Sequence, residues 1–338
     1  MPWPAAAAGN TVGEVVETVR EAIKRQETDS QLAKTLHKLN LGEKLDWRTA
    51  EELESMAPGA KSIAEIERLR ESSSGLRVPK VLPAFDSPPP PDAGDMREIL
   101  HQAQRSAASY LEGLPDFICT ETVRRYEAMA GRSWTAKDTL TLQLTYFEHE
   151  ENYKLTLLNG RKTRLDFEEM GGALSKGEFA SVLLSLFAND SATRFQWQNW
   201  TTLRKRPACV FSFRILVRNS HYSLTAGPVH GRQVSAVTGE HGLVYVDSET
   251  KRVVRITSEA DSIPANFPIQ AATRALDYGF TDVSGRSYLL PLQADVRMVT
   301  IGRLETRNDV QFAEYRKFSG ESTISFGDPG EEKPAVKK

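Results

Sequence analysis

Histidine is the side chain in this sequence best suited to proton transfer or metal binding, and the chain has six. None of the six has H-E-x-x-H or another paired-ligand spacing. His221, His230 and His241 fall within 21 residues, which allows a metal site carried on strands. Exposed or turn histidines are the commoner interpretation of that spacing, so we expect neither a metal nor a cofactor.

A serine nucleophile has no better support. Ser175 follows Ala173 at the position where a nucleophile elbow needs its first glycine. The spacing of Ser175 and Glu178 is that of a capping box, which explains this serine as the start of a helix. We therefore predict no catalytic residue, and a hydrolase built near Ser175, His149 or His241 is the weakest hypothesis.

The chain has two cysteines, Cys119 and Cys209, each in an apolar context typical of a strand. A buried free thiol is the simpler interpretation of both. A disulfide between the two strands is the alternative if the protein is exported. No P-loop and no G-x-G-x-x-G motif is present, so the sequence does not indicate a nucleotide site.

Composition limits the partners. Of 338 residues, 43 are basic and 45 are acidic, and this balance gives no indication of a nucleic acid partner. No apolar run reaches the ~18 residues of a membrane span. Residues 1–10 contain a run of small residues that resembles the tail of a signal peptide. Either a leader is missing and the protein is periplasmic or exported, or these residues are a disordered start and the protein is cytoplasmic.

Residues 11–76 predict a small bundle of four helices. The first carries the amphipathic stripe Val12, Val15, Val16, Val19 and Ile23. We expect Asp29 to cap the second helix, Asp46 the third, and Ser62 with Glu65 to form a capping box for the fourth. Residues 77–94 hold six prolines and predict a semi-rigid linker.

Residues 95–327 predict one β-rich domain, followed by a disordered tail at 328–338. A helix at 95–112 opens it, and a second helix follows Ser175. The first of these helices has an apolar stripe on one face, formed by Met96, Ile99, Leu100, Ala103, Ala107, Tyr110 and Leu111. Between and after the two helices, apolar residues alternate with polar ones, as at 140–146 and 209–217. Short turns such as Asn159-Gly160 join about ten or eleven strands, which indicates antiparallel pairing. The last pair is expected to open at Val310 and to end near Phe326.

Several blocks of this domain resemble an uncharacterised bacterial family of the kind abundant in acidobacterial genomes. The blocks are 114–126, 171–179, 242–247 with 254–256, 288–292, and 315–318 running to 321–324. The resemblance covers about 110–326 and implies no catalytic residue.

The hairpin Gly242-Leu-Val-Tyr-Val-Asp247 with Val254-Arg-Ile256 also looks like that of the lipoprotein carriers and sensors LolA, LolB and RseB. This resemblance implies an α+β fold, with a curved, mostly antiparallel, unclosed β-barrel covered by helices. The small all-α bundle and the proline-rich linker are departures from those proteins.

The same resemblance implies a non-enzymatic envelope protein that binds an acyl chain, a lipid or a lipidated protein in the half-barrel. Such a site should be an apolar concavity. Plain hydrophobic core is the alternative for every residue of the candidate lining. The candidates are Leu140, Leu142, Leu144, Tyr146, Phe179, Leu183, Phe187, Phe211 and Phe213.

A structural or protein-interaction module is the other hypothesis. In that case the sheet is filled by its own side chains, and residues 11–76 recruit a protein partner. An apolar cavity in the half-barrel would favour the first hypothesis over this one.

Overall fold

The architecture comes from a computed structural model, which describes residues 9–85, 88–129, 132–148, 150–165, 167–170, 181–229 and 232–318. Four helices come first: α1 (Val12–Lys24), α2 (Asp29–His37), α3 (Trp47–Met56) and α4 (Ala60–Ser72). Their apolar stripes form a separate core that includes Val15, Leu36 and Ile66. The stripe of α1 differs from the prediction at its end, where Ile23 is 40% exposed and Ala22 is buried.

Two of the predicted helix caps are wrong, for one physical reason. Thr28, with Gln31, caps α2, and Asp29 turns instead to the start of α4. Its carboxylate accepts hydrogen bonds from the backbone N–H groups of Lys61 and Ser62, at 3.0 and 2.8 Å. Ser62 therefore lies inside α4 and donates its hydroxyl to Asp29, so it forms no capping box. The predicted cap at Asp46 is confirmed.

Helix α5 (Ala93–Gly113) follows the extended linker and begins with Asp92 as its N-cap. Asp92 accepts hydrogen bonds from the N–H groups of Gly94 and Asp95. The linker runs beside the sheet edge, where the indole of Trp200 donates to the carbonyl of Pro89 at 3.0 Å.

Thirteen strands follow in the described residues. They are β1 (Phe117–Met129), β2 (Thr135–Phe147), β3 (Glu150–Leu158), β4 (Arg161–Lys162), β5 (Arg194–Leu203), β6 (Arg206–Ile215), β7 (Ser223–Val229), β8 (Arg232–Val237), β9 (Gly239–Asp247), β10 (Val253–Asp261), β11 (Ile269–Val283), β12 (Arg286–Thr300) and β13 (Leu304–Lys317).

Eleven of these strands form one sheet, in the order β4-β3-β2-β1-β13-β12-β11-β10-β9-β6-β5. Every pairing is antiparallel, and the end strands β4 and β5 do not pair, so the sheet is unclosed as predicted. Strands β7 and β8 form a separate hairpin. Asn159 and Gly160 both have positive φ, which confirms the predicted turn.

The strand that contains Val310 differs from its predicted place. It is β13, and its two neighbours in the sheet are β1 and β12. The expected partner segment near Phe326 lies outside the described residues. Strands β1 and β13 are the first and last of the thirteen strands, so their pairing joins the two ends of the strand sequence inside the open sheet. Local sequence patterns do not show this pairing.

The sheet has two covered faces. On the helix face, which bears Leu142 and Ile256, helices α5 and α6 (Ser181–Phe187) pack over the main core. On the bundle face, which bears Arg255, helices α3 and α4 lie against the strands. Arg255 and Ile256 are neighbours in β10, so their side chains point to opposite faces.

Candidate functional site

A cavity of about 600 Å³ lies on the helix face, between the second half of α5 and the sheet. Its other wall is formed by the β9–β10 turn at Thr250 to Val253 and by the start of β12 at Ser287 to Leu289. This volume is within the range of ordinary small-molecule sites. The period of α5 brings Ala103 and Ala107 to the core, and these small side chains let the helix lie close to the strands.

The floor of the cavity is apolar. Five of its lining residues are buried: Ala107, Leu114, Leu183, Val253 and Leu289. Leu183 comes from α6, which is held against α5 by a hydrogen bond from the amide of Gln104 to the carbonyl of Phe187 at 3.2 Å. The floor can therefore accept a hydrocarbon chain without loss of hydrogen bonds.

The mouth of the cavity is polar and open to solvent. Arg105 and Ser109 are exposed on α5, and Arg252 and Ser287 are exposed on the opposite wall. Lys251 lies between them in a left-handed backbone conformation, with φ of 55°. Its ammonium group donates to the carbonyl of Ser248, which keeps it at the turn.

Tyr110 lies in the cavity wall with its ring edge-on to Tyr278, the ring centroids being 6.4 Å apart. Its hydroxyl is buried and has no hydrogen-bond partner among the described residues. Burial raises the pKa of Tyr110 well above its ordinary value, so the group stays a neutral donor. An unpaired buried donor of this kind costs about 1–3 kcal/mol.

Most of the candidate lining predicted from the sequence lies in the packed core beside the cavity. Leu140, Leu142, Leu144, Tyr146, Phe211 and Phe213 are all buried in the main core, and Phe187 packs against it. Leu183 is the member that lines the cavity. Phe179 lies outside the described residues. Phe213 also borders a second, shallow depression beside Phe195 and His241, near the free edge of the sheet.

Most of the cavity wall is not evident from the sequence. In the sequence, Ala107 and Tyr110 lie on the apolar stripe of the helix at 95–112, and Tyr288 and Leu289 lie in the block 288–292, but no local pattern joins the two segments. The β9–β10 turn is polar, and polar turns are ordinarily solvated. Only the sheet order, which places β10 and β12 on either side of β11, brings that turn to the start of β12.

The other chemistry-bearing residues are dispersed. Cys119 and Cys209 are buried free thiols; burial raises the pKa of Cys209 to about 11 and also raises that of Cys119. His221 is exposed beside Asp190, with 3.1 Å between Nε2 and Oδ2. In the part of the chain that the structure describes, no group of three or more metal-ligating side chains is found. Ser175, His149 and His230 lie outside that part.

No helix within the described ranges is both long and apolar enough to cross a membrane. No family model matches the chain, and no curated protein matches it.

Three solved structures are similar to the chain. One is a LolA superfamily protein from Nitrosomonas europaea, at 12% identity and a TM-score of 0.32, covering 66% of this chain and 93% of the other. Another is an outer membrane lipoprotein-sorting protein domain from Vibrio parahaemolyticus, at 14% identity and 0.35, covering 68% and 97%. The third is a DUF1329 family protein from Desulfovibrio piger, at 9% identity and 0.32, covering 67% and 94%.

The first two structures carry the names of the carriers and sorting proteins that the hairpin at 242–256 resembles. At these TM-scores the likeness supports no argument about a ligand, and the fold class rests on the strand order itself.

Proposed function

We propose that this protein is a non-enzymatic binding protein that holds a hydrophobic ligand in its half-barrel, beneath α5. The observation that carries the proposal is the cavity of about 600 Å³ with its buried apolar floor. The acyl chain of a lipid or of a lipidated protein fits such a floor, because burial of each methylene group contributes about 0.8 kcal/mol.

The place of action that goes with this proposal is the bacterial cell envelope, where acyl chains must cross an aqueous space on a carrier. Residues 11–76 would then recruit a protein partner. Helices α3 and α4 already lie against the sheet, so the partner surface would be provided by α1 and α2, whose outer faces carry Glu17, Glu21 and Lys34.

The test is a binding measurement on the purified full chain after removal of copurified lipid. An uncharged fluorescent probe such as N-phenyl-1-naphthylamine should bind, and an organic extract of the untreated protein should contain an acyl species by mass spectrometry. Ser109→Trp, which places a large side chain in the mouth, should weaken probe binding at least tenfold.

Ala108→Trp is the matched control. Ala108 is exposed on the same helix and does not line the cavity, so probe binding should be unchanged. Equal probe affinity in the unmodified protein, Ser109→Trp and Ala108→Trp would contradict the proposal.

The second candidate is a protein-interaction module without a small-molecule ligand. The complete burial of Leu140, Leu142 and Leu144 favours it, because much of the half-barrel is filled by its own side chains. A clean extract and no probe binding by the folded protein would support this second candidate.

A further inference from the structure

The mouth of the cavity carries an excess of positive charge. Arg105 stands on the α5 side, and Lys251 and Arg252 stand on the β9–β10 turn opposite. Arg105 lies 3.4 Å from Glu98, but both side chains are more than half exposed, so this pair is weak. Among the described residues, neither Lys251 nor Arg252 has an ion pair.

The acidic residues nearest to that turn in sequence are already engaged. Arg206 holds Asp247 at 2.6 Å and Glu249 at 3.1 Å. Burial alone would raise the pKa of Asp247, but hydrogen bonds from Arg206 and Thr250 outweigh it and set the pKa at about 2. Both carboxylates therefore bind Arg206 and neither binds Lys251 or Arg252. The single positive charge of Arg206 balances one of them, and the three cations of the mouth outnumber the remaining carboxylate.

Both cations are also held in place. The ammonium group of Lys251 is fixed by the carbonyl of Ser248, and the guanidinium of Arg252 lies over the ring of Phe280, 5.5 Å from its centroid. Ser109 and Ser287 add exposed hydroxyl groups on the two sides. An anionic group at the mouth would thus meet charged and neutral hydrogen-bond donors from both walls.

The volume of the cavity indicates how long a hydrocarbon chain fits below that mouth. If each non-hydrogen atom occupies roughly the ~30 Å³ of a liquid water molecule, a cavity of 600 Å³ takes about 20 of them. That volume suits one alkyl chain of roughly 12 to 18 carbons.

We infer that the ligand is a single-chain anionic amphiphile, with its chain on the floor formed by Ala107, Leu183 and Leu289 and its carboxylate or phosphate at Arg105, Lys251 and Arg252. This inference rests on the proposed function and specifies its ligand. Carboxylate and phosphate headgroups share the chemistry that the mouth recognises.

The test compares headgroups on one chain length by displacement of the uncharged fluorescent probe, at pH 8 and low salt, below the micelle concentrations. Dodecanoate and dodecyl phosphate should displace the probe at least ten times more effectively than dodecanol. Dodecyltrimethylammonium should be the weakest. Added salt should reduce the advantage of the anions, because the mouth is open to solvent. Acetate and inorganic phosphate, which lack the chain, should not displace the probe.

Lys251→Gln combined with Arg252→Gln should weaken dodecanoate about tenfold and leave dodecanol unchanged. Arg286→Gln is the control, because Arg286 is an exposed cation beside Ser287 that does not line the cavity. Equal affinity for dodecanoate and dodecanol, or an equal loss of both in the double variant, would overturn the inference and leave the proposed function standing. Binding of phosphate without a chain would also overturn it. Failure of every alkyl compound and of the probe would refute the proposed function and the inference together.

Discussion

The two faces of the large sheet are built from the same strands and are covered by opposite chemistry. The centre of the helix face meets α5 and α6 through aliphatic and aromatic side chains, among them Leu142 and Ile256. The bundle face meets α3 and α4 through ion pairs. Since alternate residues of one strand serve both faces, the two interfaces differ in chemistry while sharing one backbone.

Two groups of charges hold the bundle. Arg255 binds Asp277 through two hydrogen bonds, of 2.7 and 3.0 Å, and reaches Glu51 in α3 at 3.1 Å. Glu51 is only 3% exposed, so this group is desolvated.

The second group is Glu71 with Arg297 and Arg307. Its Oε1 atom lies 2.7 and 2.9 Å from the two guanidinium groups, and both guanidinium groups also bind Asp295. A cavity of about 190 Å³ separates the two groups of charges.

The two faces of the sheet should respond differently to substitution. On the helix face, each buried apolar side chain adds its own contribution to stability, and the loss of one contact affects mainly its immediate surroundings. In a buried group of ion pairs, the cost of desolvating the charges offsets most of their attraction, so the net contribution to folding stability is small. The loss of one member, however, leaves the other charges buried and unpaired. The helix face should therefore tolerate conservative changes, whereas the bundle face should respond sharply to single ones and weakly to concerted ones.

The largest expected effect is on the helix face. Leu142→Asp places a carboxylate in a position with no exposed surface, and we expect a loss of more than about 4 kcal/mol in the free energy of unfolding, or no folded domain. Urea denaturation monitored by circular dichroism measures it. Thr141→Asp, one residue earlier and on the other face, should lose about 1 kcal/mol or less. Similar losses of unfolding free energy at both positions would show that the two faces do not differ in this way.

The next effect is on the bundle face. Arg255→Met leaves the buried Glu51 without its cation and leaves Asp277 with Arg204, at 3.4 Å, as its remaining cation, so it should cost about 3–5 kcal/mol. Replacement of all three, as Glu51→Leu, Arg255→Met and Asp277→Leu, also removes the carboxylate partner of Arg204. Because Arg204 is 39% exposed, water can solvate it, and the stability should return to within about 1 kcal/mol of the parent.

Trypsin cleavage at Arg77 and Lys80, which are exposed in the linker, followed by gel filtration, shows whether the bundle stays bound. Release by Arg255→Met and retention by the triple variant are expected. If the triple variant releases the bundle as readily as Arg255→Met does, the ion pairs themselves contribute net affinity between the bundle and the sheet, which would contradict the expectation.

These two faces also differ in how far the sequence predicted them. The helix face could be predicted because the alternation from Leu140 to Tyr146 has the period of a strand and the apolar stripe of α5 has the period of a helix. The unclosed antiparallel sheet and its eleven strands followed from such patterns and from short turns.

The bundle face was not predicted, because its decisive pair joins Glu51 to Arg255 across 204 residues. The periodicity of a strand or helix shows that such a charged residue lies on its polar face, but it does not identify the distant residue with which the charge pairs. The same limit explains the cavity: the sequence indicated that Ala107 and Leu289 were apolar, but not that they face each other.

A pH effect of intermediate size follows from Glu54, on the bundle side of the 190 Å³ cavity. Burial raises the pKa of Glu54 to about 7, from 4.5 for the free group. The folded state therefore binds this proton more tightly, so its stabilising contribution is complete below about pH 4.5 and is lost as the pH rises through 7.

We expect the parent to lose about 2 kcal/mol over that range from this group, and Glu54→Gln to remove that loss. The measurement is the difference in unfolding free energy between the two proteins from pH 5 to pH 8. Glu17→Gln, on the exposed side of α1, should leave the pH profile of the parent unchanged. Parallel profiles for the parent and Glu54→Gln would show that Glu54 is not desolvated by the sheet.

The smallest expected effect concerns a stacked pair of side chains at the bundle face, and it shows whether stacking adds stability beyond that of the ion pairs. The guanidinium of Arg70 lies over the ring of Trp47, 3.8 Å from its centroid, at the rim of the 190 Å³ cavity. Arg70→Lys keeps the positive charge near Glu54 and Glu67 but loses the stacked plane, and should cost about 0.5–1 kcal/mol. Trp47→Leu should cost a similar amount, and the double variant should cost less than the sum, because both changes remove one contact. Full additivity in urea denaturation would mean that the guanidinium of Arg70 and the ring of Trp47 contribute independently, and that the positive charge of Arg70 matters without its stacking on the ring.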